Sequence, residues 1–280
     1  MNRHKYTWNL STLNYNKMNV CYIGLGSMGG RIAKHISRAG FTLTVYNRTV
    51  SKAKAFARKH QCGYDTSIKE ACVGSQLVLM CVFDEAASWS VIKDIVAHAK
   101  EGTIIMDNGT ASFDHSKKMG ELCRRHKMHF LDGPVSGGEP LADKGQLAMS
   151  VGGEKAVLKK INKILMTFCR SITHMGPVGS GQLCKIVNLL VGFHTKQGLR
   201  EGLEFVNAYG LDKKKVLKVM LDGSSYSYTA HKNSSGWLQG NLEKMVTPLT
   251  KKDSIIAVKH AKNKKLRLQA TELFAKIINR

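Results

Sequence analysis

The stretch VCYIGLGSMGGRIAKHISRAGFTLTVYNR, Val20 to Arg48, decides the reading of this chain. A short apolar run, Val20 to Ile23, meets Gly24, Leu25, Gly26, Ser27, Met28 and Gly29, a G-x-G-x-x-G. A helical pattern follows to Arg38, then a turn at Ala39-Gly40 and a second apolar run from Leu43 to Tyr46. Strand, glycine turn, helix, strand is the βαβ unit whose first turn holds a dinucleotide. Gly24 permits the tight turn, Gly26 lets the backbone approach a pyrophosphate, and Gly29 lets helix and strand pack closely. The N–H groups that open the helix lack partners within it and sit at the positive end of its dipole, so they suit phosphate. Without its flanking strand and helix the same motif would be an ordinary glycine turn.

Past Arg48 the alternation continues. Ser51 to Lys59 reads as a helix with Ser51 as its N-cap, Cys62 to Tyr64 as a short strand, and Ser67 to Cys72 as a short helix. Leu77 to Phe83 is a continuous apolar run, as a strand buried on both faces should be. Asp84 to Ala99 and Ser112 to His126 read as helices, Thr103 to Met106 and Met128 to Leu131 as strands. Leu147 to Val151 adds a strand and Glu154 to Phe168 a helix. Such alternation predicts a doubly wound, mostly parallel Rossmann sheet with its ligand at the carboxyl ends of the strands. Beyond Gly176 the texture is helical: one long pattern to about Tyr209, with an apolar stripe at Ile186, Leu189, Leu190 and Phe193, then Lys213 to Leu221, Ser235 to Leu242 and Lys252 to Asn279. The expected architecture is an α/β Rossmann domain over 18–176 followed by an all-α domain over 177–280. Residues 1–17 read as a disordered extension, with Met18 an alternative start.

Composition narrows the function classes. Over 280 residues, 43% hydrophobic content suffices for a core, and no apolar run approaches the length that spans a bilayer. The seven cysteines form no C-x-x-C pair and suit a reducing compartment as small buried hydrophobes. The eleven histidines show no metal-ligand spacing, so no metal is expected. The formal charge is +23, which raises a nucleic-acid hypothesis, but the positive residues are scattered and no reader motif accompanies them. Solvated helix faces explain most of that charge. A cytoplasmic protein is expected, or one of the mitochondrial matrix if residues 1–17 are a targeting segment.

Three further places carry chemistry. A dinucleotide fold selects its cofactor after the second strand, where an acid takes the ribose 2′-OH and an Arg accommodates a 2′-phosphate. Here that place holds Asn47, Arg48 and Thr49, and no Asp or Glu precedes Asp65. NADP(H) is therefore expected over NAD(H). Lys185 is the candidate acid/base: it follows a Gly-rich turn on a helical stretch, and Asn188 lies three residues on, on the same face. A Lys amine can move a proton when burial or a nearby cation lowers its pKa. Ser136, Gly137 and Gly138 place unshielded N–H groups beside a hydroxyl, a cradle for a substrate carboxylate. Taken singly, a Lys–Asn pair is more often a surface pair and S-G-G a plain turn.

Four motifs occur in order: Gly24 to Gly29, Asp132-Gly-Pro-Val-Ser-Gly-Gly138, Gly176 through Lys185 to Asn188, and Lys252-Asp253. Together they closely resemble the β-hydroxyacid dehydrogenase family, which includes 3-hydroxyisobutyrate dehydrogenase and the tartronate and glyoxylate/succinic semialdehyde reductases. The resemblance implies Lys185 as catalytic lysine, Asn188 as supporting amide, and Ser136, Gly137 and Gly138 as carboxylate binders. It implies that Thr110 meets cofactor or substrate, that Lys252 reaches towards the nicotinamide, and that the chain forms dimers or tetramers through its helical domain. Gly109, Phe113, Glu139-Pro140-Leu141 and Leu189 depart from the common pattern, and the chain stops soon after Phe274, so the substrate is left open.

The leading expectation is an NADP(H)-dependent enzyme interconverting a short β-hydroxyacid and its semialdehyde. The competing one is a cofactor- or nucleic-acid-binding module that kept the fold and lost the activity; the intact Lys185 and Asn188 argue against it. A 6-phosphogluconate enzyme would need a longer helical domain.

Overall fold

The computed structural model describes residues 18–240 and 246–279. The expectations for residues 1–17 lie outside the described residues. The first half alternates β1 (Val20–Ile23), α1 (Ser27–Arg38), β2 (Leu43–Tyr46), α2 (Val50–His60), β3 (Gly63–Tyr64), α3 (Ile68–Cys72), β4 (Leu77–Met80), α4 (Glu85–His98), β5 (Ile104–Asp107), α5 (Phe113–Arg125) and β6 (His129–Asp132). Then come β7 (Val135–Ser136), α6 (Gly138–Asp143), β8 (Leu147–Gly152), α7 (Lys155–Leu165) and β9 (Cys169–Gly176). The remaining elements are helices: α8 (Ser180–Ala208), α9 (Lys213–Asp222), α10 (Tyr228–Lys232), α11 (Ser234–Gln239), α12 (Pro248–Asn263) and α13 (Gln269–Ile278).

The sheet runs β3-β2-β1-β4-β5-β6-β8-β7, and β9 pairs with β8. The first six strands are parallel and in the doubly wound order, while β8 runs antiparallel to β6 and β7. Every residue of β1, β4 and β5 is buried, as a sheet covered by helices on both faces requires. Alternate residues feed two cores. Val20, Tyr22, Leu77, Leu79 and Met106 pack on one face; Cys21, Ile23, Val78, Met80 and Ile105 pack on the other. The order reverses between β1 and β4, so the Gly24–Gly29 turn opens at the crevice where such sheets bind ligands.

The 29-residue α8 runs through the second half. Its near end packs Ile186 and Phe193 with Ala257, Phe274 and Ile278, where the Phe193 and Phe274 rings stack 5.1 Å apart. Its far end packs Leu199, Leu203 and Val206 against Leu217 and the fully buried Trp237.

Several sequence expectations need correction. The strand expected over Leu77 to Phe83 stops at Met80, because Cys81 turns its carbonyl towards the glycine loop and Phe83 is exposed. Ser51 is no N-cap: α2 starts one residue earlier, with Thr49 in the capping position and no side-chain bond there. Asp84 and Ser112, read as helical, instead cap their helices by accepting from the Ala87 and His115 amides. The single helix read over Lys252 to Asn279 is two, starting at Pro248 and broken between Asn263 and Gln269, where Lys265 is left-handed at φ 55°. The helix read to Leu242 ends at Gln239, with Gly240 left-handed after it; residues 241 and 242 lie outside the described residues. The elements β7, α6, β9 and α10 were not foreseen. The first, second and last are too short for periodicity to register, and β9 alternates weakly because most of its residues are partly or fully exposed.

Candidate active site

The glycine loop is shaped from three sides. Gly24 adopts φ 94°, donates its N–H to the Tyr46 carbonyl at 2.9 Å, and lies so close to the residue after β4 that a Cβ would stand 2.4 Å from the Cys81 oxygen. A Cβ on Gly29 would stand 2.0 Å from the Gly24 oxygen. Gly26 differs: nothing lies within 4 Å of where its Cβ would be. This is the cleared space a pyrophosphate needs against the backbone. The α1 N-terminus beside it has no side-chain cap and no acid in its first turn, so its N–H groups are open to an anion. On these observations the residues present fit a dinucleotide.

The other cofactor candidates divide. Asn47 accepts the Leu25 N–H at 3.0 Å and donates to the Thr49 carbonyl at 3.2 Å, so it fastens the glycine loop to the end of β2. Leu25 itself is buried in the core and Met28 packs against it. These three shape the loop. Arg48 and Thr49 are exposed where the crevice passes β2, and Arg48 has no hydrogen-bond or ion-pair partner among the described residues. Ser27 hydrogen-bonds Glu139, whose other oxygen pairs with Arg31 at 2.8 Å; Arg31 also reaches Asp143 at 3.1 Å. The glycine loop and α6, which follows the Ser136–Gly138 turn, are thereby locked to each other.

Across the crevice the two halves meet at Lys185. Its Nζ donates to the Val135 carbonyl at 2.8 Å and to Ser136 Oγ at 3.2 Å. Burial pushes its pKa down; the carboxylate of Asp253 opposes that, and the ammoniums of Lys252 and Lys232 add to it. Lys185 is placed by the start of α8, where Asp132 at the end of β6 accepts the Gly179 N–H at 2.6 Å and the Gln182 N–H at 2.8 Å. Burial nevertheless raises the Asp132 pKa to about 6 against those bonds. Gln182, wholly buried, holds the loop after β5 by donating to the Gly109 carbonyl and accepting from Ala111. That loop carries Thr110, whose carbonyl accepts Lys252 Nζ at 2.9 Å. Lys252 also pairs with Asp253 at 3.4 Å, a carboxylate that burial pushes up in pKa while Lys252, Lys185 and Lys196 push it down.

Gly137 and Gly138 both have positive φ, 131° and 68°, which turns the chain sharply after Ser136. Tyr228 of α10 donates to the Gly137 carbonyl at 3.2 Å, and Lys232 Nζ lies 2.4 Å from where a Gly138 Cβ would be. Asn188 is exposed on the Lys185 face of α8 and has no partner among the described residues.

The structure thus gathers Ser136, Gly137, Gly138, Lys185, Thr110 and Lys252 at one crevice and puts the glycine loop beside them through α6. Sequence reasoning missed Gln182, Tyr228 and Lys232 altogether. Gln182 stands inside the Gly176–Lys185 motif and was legible there; Tyr228 and Lys232 sit on a five-residue helix that leaves no periodic trace.

Comparisons with known proteins bear on the fold and the family. Residues 19–176 match the NAD binding domain of 6-phosphogluconate dehydrogenase, and residues 179–280 match the NAD-binding domain of NADP-dependent 3-hydroxyisobutyrate dehydrogenase. An uncharacterized oxidoreductase of Shewanella frigidimarina is 34% identical over 80% of this chain and 78% of its own. A probable 3-hydroxyisobutyrate dehydrogenase-like protein of Arabidopsis thaliana, named as mitochondrial, is 31% identical over 75% of this chain and 67% of its own. The structure of Mycobacterium tuberculosis 3-hydroxyisobutyrate dehydrogenase with L-serine superposes with a TM-score of 0.83 at 23% identity, covering 94% of this chain and 92% of that one. Fold, glycine loop and sequence relatives define an NAD(P)-dependent dehydrogenase. The chain belongs to the β-hydroxyacid dehydrogenase family.

Proposed function

We propose that this dehydrogenase interconverts a short β-hydroxyacid and its semialdehyde, preferring NADP(H), with Lys185 as general acid/base. The observation that carries the reading is the position of Lys185 Nζ, within hydrogen-bond reach of Ser136 and at the edge of the Gly137–Gly138 turn. A carboxylate in that turn puts the neighbouring carbonyl oxygen of a three- or four-carbon acid beside the amine. A reduced nicotinamide cofactor held at the Gly24–Gly29 loop would supply the hydride for the carbonyl carbon. Lys185 gives its proton to the carbonyl oxygen in reduction and takes the hydroxyl proton in oxidation; burial lowers its pKa, which makes the proton easier to release. Asn188 orients the substrate from one turn further along the helix. Lys252, anchored on Thr110, fixes the cofactor-facing wall.

The NADP(H) preference is supported by Arg48 and Thr49, exposed and without an acid nearby in sequence. We assign cofactor binding to 18–176 and the substrate-side helices to 177–280. A homo-oligomer assembled through the helical half is supported by Leu183, Val187 and Val191, which expose an apolar row at i, i+4 and i+8 on α8. No helix among the described residues is long and apolar enough to cross a membrane. A cytoplasmic or mitochondrial-matrix setting fits the unpaired cysteines.

The test is NADPH oxidation with methylmalonate, tartronate and succinic semialdehydes and glyoxylate, for the wild type and Lys185→Ala. We expect turnover on at least one compound and a loss of about 10²- to 10⁴-fold in the variant, with NADPH affinity retained. Near-normal turnover by Lys185→Ala refutes the mechanism.

A further inference from the structure

The helical half reaches the Ser136–Gly138 turn through one short element, α10. Its Tyr228 and Lys232 lie four residues apart, on one face. The Tyr228 hydroxyl donates to the Gly137 carbonyl at 3.2 Å. Lys232 Nζ stands over the next residue, so close that a Cβ on Gly138 would collide with it. The two contacts fall on consecutive glycines, so this face of α10 lies along the turn. The helix is also fastened to its own half. Ala230 is buried with Leu199, Leu203 and Trp237, and Ser227 caps the helix by accepting the Ala230 N–H at 3.0 Å. The backbone that carries Lys232 is thereby held from both sides.

The other amines of the crevice have different work. Lys185 Nζ is bonded to the Val135 carbonyl and Ser136 Oγ, and it is the group that moves the proton in the proposed reaction. Once it has given that proton up, it no longer offers a charge to a carboxylate. Lys252 is held by the Thr110 carbonyl and by Asp253. Lys232 is exposed and has neither an ion pair nor a hydrogen bond among the described residues. Glu139, the acid next to Gly138, is turned away to Arg31 and Ser27. A carboxylate on the Gly137–Gly138 turn therefore meets an ammonium that no acid of the protein takes and that lies outside the proton's path.

We propose that Lys232 is the charge-selecting residue of this site: its ammonium pairs with the substrate carboxylate on the Gly137–Gly138 turn, so that acids bind and neutral compounds of the same shape are rejected. The inference rests on the reading of Ser136 to Gly138 as the carboxylate site, and it names the cation that completes that site. The turn belongs to the sheet half and Lys232 to the helical half, so a bound acid also ties one half to the other.

Binding, measured by calorimetry on the full chain with NADP⁺ present, separates this inference from the catalytic one. The probes are propionate and propionamide, which match in shape, differ in charge and carry no hydroxyl to oxidise. In the wild type we expect propionate to bind at least about ten-fold tighter, the effect of one charge-assisted contact. Lys232→Met should lose that advantage, with propionamide and NADPH affinities within two-fold of the wild type. A Lys232→Met variant that keeps the ratio overturns the proposal. So does one that weakens both probes alike, which would mean that Lys232 only supports the shape of the turn. If the wild type itself does not distinguish the probes, the carboxylate reading of the turn falls, and this inference with it. If Lys232→Met loses the distinction but the wild type reduces no semialdehyde, the proposed reaction fails and the role of Lys232 stands.

Discussion

Gly26 and Gly29 lie three residues apart in one loop, and the structure assigns them opposite sensitivities. Gly26 has φ −67° and ψ −168°, extended backbone open to alanine, with nothing within 4 Å of a new Cβ. Gly26→Ala should therefore leave the free protein as stable as the wild type, or more stable by about 0.4–1 kcal/mol, because alanine loses less chain entropy on folding. Its methyl would occupy the space left for the pyrophosphate. Displacing the phosphates from even one N–H forfeits a charge-assisted bond worth about 1.5–3 kcal/mol, a loss of about 10- to 150-fold in nucleotide affinity. Gly29→Ala meets the reverse situation. Its Cβ would stand 2.0 Å from the Gly24 oxygen and 3.1 Å from the Tyr22 ring, so helix and strand must separate. Overpacking of this kind costs about 1–3 kcal/mol, which lowers Tm by about 3–10 °C in a chain of this size. The assay is thermal unfolding without cofactor, paired with fluorescence titration of NADPH. The reasoning is refuted if Gly26→Ala binds NADPH within two-fold of the wild type, or if it unfolds as early as Gly29→Ala.

Three further outcomes follow from single contacts. Arg48→Ala should weaken NADPH by about ten-fold, one charge-assisted contact, and leave NADH unchanged; equal weakening of both would mean that Arg48 serves adenine and not the 2′-phosphate. The Phe113 N–H donates to His260 Nε2 at 2.8 Å, which requires a neutral imidazole, and burial lowers that histidine's pKa against the opposing charges of Asp114 and Glu85. Because the folded pKa is the lower one, protons favour the unfolded chain: the contribution is full above about pH 6.5 and is lost as pH falls through the folded value. Tm should fall between pH 7.5 and 5, and less steeply in His260→Phe; parallel curves would remove His260 from the account. Gln182→Ala would leave the Ala111 N–H without its acceptor inside the protein, so Tm should fall by several degrees and KM for the cofactor should rise as the Thr110 loop loosens. Unchanged Tm and KM would show that the loop holds itself.

The cofactor half was legible because its signals are local. The βαβ pattern, the glycine spacing and the buried apolar run at Leu77 each need only a dozen residues, and the parallel order of β3-β2-β1-β4-β5-β6 follows once they are in place. The shorter elements were not legible for the complementary reason. The two residues of β7 and the five of α10 gain their form from partners far along the chain: Val135 and Ser136 from pairing with Met149 and Ala148, and Tyr228 from its bond to the Gly137 carbonyl.

The same division runs through the site. Lys185 could be singled out from its motif, but the sequence offered no reason for its environment. That environment comes from Asp132 at the end of β6 capping α8, Gln182 tying α8 to the Gly109–Ala111 loop, and Lys252 reaching Thr110 from α12. Each is a contact across 47 residues or more. Together they make the position of the lysine depend on the sheet of one half and the helices of the other. The cofactor loop is joined to the same assembly by the bonds of Ser27 and Arg31 to α6. A motif names a residue; the contacts between the halves decide where its side chain stands. The least conspicuous element reaches the same place, because α10 brings Tyr228 and Lys232 to the Gly137–Gly138 turn.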